Sequence, residues 1–241
     1  MDLKLLKFNE MNRHRLLLIL NILLLTASGC FHPLQITNLD LYNEPAPAPP
    51  KDRVSIGVVS ENIGHRDNSR YVDSIVKAIQ NQAGGKIEKV IYPYPGTSRQ
   101  SSDVDLLLTL DVQPKYSGKG SNFLVNWPGF LIFAPALVGY GYEADITTVI
   151  NIRNLRSGQS RQLTIPTRFT FREAEMDRSW TEISWLEVGI IALIGGIYFT
   201  QYDPDVTEKF ISLVSPTYGK FVANKILESF PEVSALARIP S

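Results

Sequence analysis

Cys30 is the only cysteine in this 241-residue chain, and His14, His32 and His65 are its only histidines. One thiol rules out a disulfide framework, a cysteine-rich zinc site or an iron–sulfur cluster. The histidines do not cluster, so no metal site is expected. A Ser-His-Asp arrangement would rest on His65, which lies in the polar run 61–69 beside Asp67. That position suits a general base, and it suits a solvated loop histidine equally. No G-x-x-x-x-G-K-[ST] loop and no G-x-S-x-G elbow occurs. Gly118-Lys119-Gly120 and Gly139-Tyr140-Gly141 read as turns. Glu173, Glu175 and Asp177, with Arg172 and Arg178, read as a solvated acidic loop. The expectation is no cofactor, no metal and no enzyme; the enzymatic alternative is a hydrolase using His65.

The surroundings of Cys30 are more informative. Arg13-His14-Arg15 precedes an apolar run over 16–25, followed by Thr26, Ala27, Ser28, Gly29 and Cys30. That run of about ten residues is too short to cross a bilayer as a helix. A basic segment, a short apolar segment and small residues make a signal peptide over 1–29. Ala27-Ser28-Gly29-Cys30 resembles the lipobox of bacterial lipoproteins, with Ala27 where that family prefers Leu. The resemblance implies diacylglycerol on the Cys30 sulfur, cleavage before it and acylation of the new amino group. Phe31, in place of Asp, implies the outer membrane, facing the periplasm, in a Gram-negative cell. Met11 begins a second compact signal, so translation starts at Met1 or at Met11. Losing an exposed thiol to lipid also suits an oxidising compartment.

Lys plus Arg and Asp plus Glu both number 24, a formal net charge of zero. Removing Lys4, Lys7, Arg13, Arg15, Asp2 and Glu10 leaves 20 basic and 22 acidic side chains. That balance argues against a nucleic-acid partner. Attachment to membrane then rests on acyl chains rather than on charge. Pro45, Pro47, Pro49 and Pro50 mark 30–52 as a lipidated N-terminus and Pro-rich spacer. Extended, it would reach roughly 60 Å.

The remainder, 53–241, reads as one domain. Val54–Val59 is a strand, Asn68 or Ser69 caps a helix through Gln82, and Gly84-Gly85 ends it. Lys86–Tyr92 and Asp105–Val112 are further strands. Alternation over 144–153 and 162–172, about a turn at 154–158, is an antiparallel hairpin. Pro166 places its strand at a local edge. Asp203-Pro204-Asp205 opens a helix that Ser215-Pro216 interrupts, and a second runs from Thr217 to Ser229. The fold class is α+β: a mixed, largely antiparallel sheet of about five strands with helices on one face, in the order β-α-β-β-β-β-α. In element order, 53–230 resembles the compact domain of curli-secretion and penicillin-binding-protein-activator lipoproteins.

Two apolar insertions, 123–142 and 185–199, are unusual in such a domain. Pro128, Gly129 and Pro135 argue against a membrane helix in the first. The charge-free run 188–199 of the second is too short for one. Aromatics such as Trp127, Tyr140, Tyr142, Trp180, Trp185 and Tyr198 suit a membrane interface. Two readings stand: ordinary core, or contact with membrane or partner through Trp127, Phe130, Leu131, Trp185 and Ile191. The expected function is a lipid-anchored envelope binding or scaffold component, partnered by another envelope protein or a second copy. The alternative is an auxiliary or pore-forming subunit of an envelope secretion or transport assembly.

Overall fold

The computed structural model describes residues 32–50, 53–61, 66–82, 86–95, 103–126, 139–174 and 201–235. In chain order its elements are β1 (His32–Ile36), β2 (Val54–Ser60), α1 (Arg66–Gln82), β3 (Ile87–Ile91) and β4 (Leu106–Gly118). They continue with α2 (Asn122–Asn126), β5 (Tyr140–Asn154), β6 (Ser160–Ala174) and α3 (Thr207–Ala235). The fold is α+β, and the sheet has six strands in the order β1-β6-β5-β4-β2-β3. The sixth strand, β1, comes from the segment that the sequence assigns to a spacer.

One half of the sheet is parallel. β2 and β3 flank the α1 crossover, and β2 also pairs parallel with β4, Val58 opposite Leu108. The other half is antiparallel. At one end of β4 and β5 the Lys119 N–H donates to the Gly141 carbonyl, and at the other the Leu155 N–H donates to the Asp105 carbonyl. β5 and β6 form the expected hairpin, closed where the Asn154 N–H donates to the Gln159 carbonyl at 2.8 Å. The Asn154 carboxamide oxygen accepts from the N–H groups of Arg156 and Ser157. Gly158 supplies the positive φ, 75°, that the turn requires.

The described residues divide into two compact units, drawn from Met1–Gln35, Gly118–Tyr142 and Phe171–Tyr202, and from Ile36–Ser117, Glu143–Thr170 and Asp203–Ser241. In the second unit α1 and α3 lie on one sheet face. Alternate residues of β4, β5 and β6, such as Leu108, Ile146, Thr148, Ile150, Thr167 and Phe169, are buried there. Tyr218 hydrogen-bonds the Thr148 hydroxyl, and its ring stands 6.5 Å from Phe169 and 5.1 Å from Tyr71. Tyr71 and Tyr116 share a hydroxyl hydrogen bond of 3.0 Å, and burial pushes the Tyr116 phenol up to about 12. Each of these phenols thus has a polar partner, which avoids the cost of an orphaned hydroxyl.

The helix break expected at Ser215-Pro216 does not occur; α3 runs through Pro216. An interior proline costs about 3 kcal/mol. Against this, Phe210, Ile211, Val214, Tyr218, Phe221 and Val222 are all buried around it. Each contributes about 1.5–3 kcal/mol, so tertiary packing outweighs the local preference. The Ser74 hydroxyl of α1 also donates to the Ser215 carbonyl. One turn on, Gly219 lets the two helices approach: a Cβ there would stand 2.6 Å from the Ser74 backbone carbonyl.

Gly219→Ala should therefore destabilise the fold by about 1–3 kcal/mol, although alanine favours isolated helices. Denaturant unfolding of the two proteins measures this; an unchanged midpoint would mean that the helices do not meet at Gly219.

Candidate functional site

Cys30, His65, Trp127, Phe130, Leu131, Trp185 and Ile191 lie outside the described residues. Three neighbouring sequence readings are corrected. Tyr140 and Tyr142, counted among interface aromatics, are buried residues of β5. Tyr142 packs its ring 5.4 Å from Phe171 and 5.5 Å from Tyr202. Glu173, assigned to a solvated acidic loop, is 5% exposed on β6, because the strand continues to Ala174 and the pleat turns that position inward. The third correction concerns the spacer.

Residues 36–45 are not a free tether. They form a strap on β6 and α3, held by contacts along its whole length. The Thr37 N–H donates to the Thr170 carbonyl at 2.9 Å. The Asn38 carboxamide bridges β6, donating to the Arg168 carbonyl at 2.6 Å and accepting from the Thr170 N–H at 2.9 Å. The Tyr42 hydroxyl accepts from the Arg168 N–H at 2.8 Å and donates to the Arg168 carbonyl at 2.9 Å. The Tyr42 ring lies 4.6 Å from Phe169 and 5.1 Å from Phe221. Beyond it, the buried Asn224 carboxamide donates to the carbonyls of Glu44 and Pro45, at 3.4 and 3.1 Å.

Two lysines of α3 finish the strap. Lys220 donates to Asn43 at 3.3 Å, and Lys225 pairs with Glu44 at 2.8 Å. The hydrogen bond it donates to Glu44 holds the Lys225 ammonium above the ordinary lysine range, and Glu228, 3.4 Å away, adds to it. Both partners of the Lys225–Glu44 pair are about one-third exposed, so the pair is worth under about 1 kcal/mol. Hydrogen bonds and the Tyr42 ring contacts carry most of the attachment.

The edge that the strap closes is the one that Pro166 marks. At Arg168 and Thr170 the side chains of Asn38 and Tyr42 take the place of a neighbouring strand on this side of β6. The opposite, open face of the hairpin is polar. There Arg168 grips Asp145 through two hydrogen bonds, at 2.5 and 3.2 Å. The Asp145 carboxylate raises the pKa of the exposed Arg168 guanidinium.

The strap was legible only in part. Leu34 and Ile36 alternate with Pro33 and Gln35 as in a strand, and Tyr42 is an isolated aromatic among polar residues. The four prolines near it in sequence hid both signals. Asn38 and Asn224 carry no local signal at all, since both act on backbone groups distant in sequence.

Among the described residues no three His, Cys, Asp or Glu side chains converge as metal ligands. A cleft of about 600 Å³ between α1 and α3 is lined by Asp73, Ser74, Lys77, Asn81, Ser215 and Lys220, without histidine or cysteine. Lysine and aspartate in such a cleft can hold a polar or anionic group.

No family model and no curated protein sequence matches the chain. Among solved structures, a point variant of the PelC dodecamer from Paraburkholderia phytofirmans is 11% identical, covering 78% of this chain and 98% of that one, at a TM-score of 0.28. A PelC dodecamer from the same organism is 14% identical over 66% of this chain and 96% of that one, also at 0.28. Overlap at that level carries no functional argument.

Tyr42→Phe should cost about 1 kcal/mol and Tyr42→Ala about 2–4, measured by thermal unfolding. The alanine variant should also expose 36–50 to limited proteolysis before the rest of the chain. The Lys225 shift predicts a pH dependence of defined sign. A raised lysine pKa adds stability that is complete below the unfolded value, about 10.4, and is lost as pH rises through the folded value. Proteolysis of the strap should therefore accelerate above about pH 10.4, and Lys225→Met should remove that step.

Proposed function

We propose that this protein is a lipid-anchored component of a bacterial cell envelope that acts by binding rather than by catalysis. The observation that carries this reading is the segment ending at Ala27-Ser28-Gly29-Cys30, where a basic and an apolar stretch lead to small residues and the sole cysteine. Diacylglycerol on Cys30 would tie the chain to a membrane, and two acyl signals suffice for stable attachment. In a Gram-negative cell Phe31 favours the outer membrane, with the folded part in the periplasm.

The strapped edge of β6 and the polar cleft between α1 and α3 are surfaces that suit a scaffold or adaptor role. The partner is another envelope protein or a second copy of the chain. Trp127, Phe130, Leu131, Trp185 and Ile191 are the side chains assigned to that contact or to lipid.

Wild-type cells fed labelled palmitate should incorporate it into this protein, and Cys30→Ser should abolish incorporation and release the protein from the membrane fraction. Label retained by the serine variant would overturn the assignment.

A further inference from the structure

The lipid-anchor reading is the premise here, and β1 gives it a geometry. The strap takes Arg168 and Thr170 for residues that come after β1. β1 must then pair with β6 beyond Thr170, running against it toward Ala174. His32, the first residue of β1, sits at the Ala174 end of β6. β5 begins at the same level: ring contact between Tyr142 and Phe171 fixes the register that sets Tyr140 opposite Glu173. β4 ends there too, since the Lys119 N–H bonds the Gly141 carbonyl at 3.0 Å. Asn122 braces this end by exchanging two hydrogen bonds with the Gly141 backbone, at 2.9 and 2.8 Å.

Four strands thus start or stop at one end of the sheet, and Cys30 stands two residues before it. Two residues reach about 7 Å. The free 30–52 spacer would have allowed roughly 60 Å. The acyl chains on that sulfur must lie in the bilayer, so the start of β1, about 7 Å along the backbone from Cys30, cannot stand clear of the surface. The sequence agrees: 127–138, just before β5, and 188–199, between β6 and α3, contain no charged residue. Arg172, exposed on β6 beside this end, is a cation that anionic headgroups favour.

We infer that the sheet end formed by the start of β1, the end of β4, the start of β5 and the end of β6 is the surface apposed to the lipid bilayer, held there by a two-residue anchor. Its occupant is a phospholipid surface.

The test uses the full lipidated chain purified from cells and reconstituted into phosphatidylethanolamine–phosphatidylglycerol vesicles that carry a headgroup spin label. Arg172→Cys provides the only free thiol, since Cys30 is blocked by lipid, and takes a fluorophore. Its fluorescence should be quenched in vesicles. A 20-residue Gly/Ser insertion between Phe31 and His32 should abolish the quenching while leaving the thermal midpoint unchanged. Absence of quenching in a protein that incorporates labelled palmitate would overturn the orientation and leave the anchor standing. Equal quenching with the insertion would overturn the role of the short anchor. Absence of palmitate would remove both readings.

Discussion

The outer edge of β6 is the constraint on which the arrangement of the N-terminus depends. A sheet edge presents N–H and C=O groups that must be paired, covered or left to water. At Arg168 and Thr170 the covering groups are side chains, the Asn38 carboxamide and the Tyr42 hydroxyl, each both donor and acceptor. β1 takes over the edge where they stop. The same contacts convert what composition reads as a spacer into part of the fold. They leave Cys30 only two residues ahead of β1.

Behind that edge lies an aromatic interior that ties strap, sheet and helices together. Tyr42 packs on Phe169, Phe169 on Phe210 and Tyr218, and Tyr218 on Tyr71. Tyrosine serves here because each ring fills volume while its hydroxyl satisfies a neighbour: Thr148 for Tyr218, Tyr116 for Tyr71, the β6 backbone for Tyr42. Such a core specifies as well as stabilises, since a shift of one helix would orphan several polar groups at once. The close approach of α1 and α3 at Gly219 fixes their spacing in the same sense.

The described residues present a polar hairpin face around Arg168 and Asp145, a strapped edge on β6 and a cleft lined by Asp73, Lys77 and Lys220.

The sequence by itself determined the periodic elements. Alternation over 144–153 and 162–172 specified the hairpin, because one buried face forces period two. The 3.6 period of Val72, Ile75, Val76 and Ile79 specified α1, and small residues before a lone cysteine specified the anchor expectation. Tertiary structure decided wherever distant groups meet. Proline preference favours ending a helix at Pro216, yet burial on both sides carries α3 through. Tyr140 and Tyr142 suit a lipid interface by type, yet the pleat of β5 turns them inward. Residues 36–45 lack a strong local pattern, and their conformation comes from β6 and Asn224, more than a hundred positions away. Local propensity is worth tenths of a kilocalorie per residue, whereas each buried side chain or satisfied backbone group is worth about one or more, so long-range partners prevail where the two conflict.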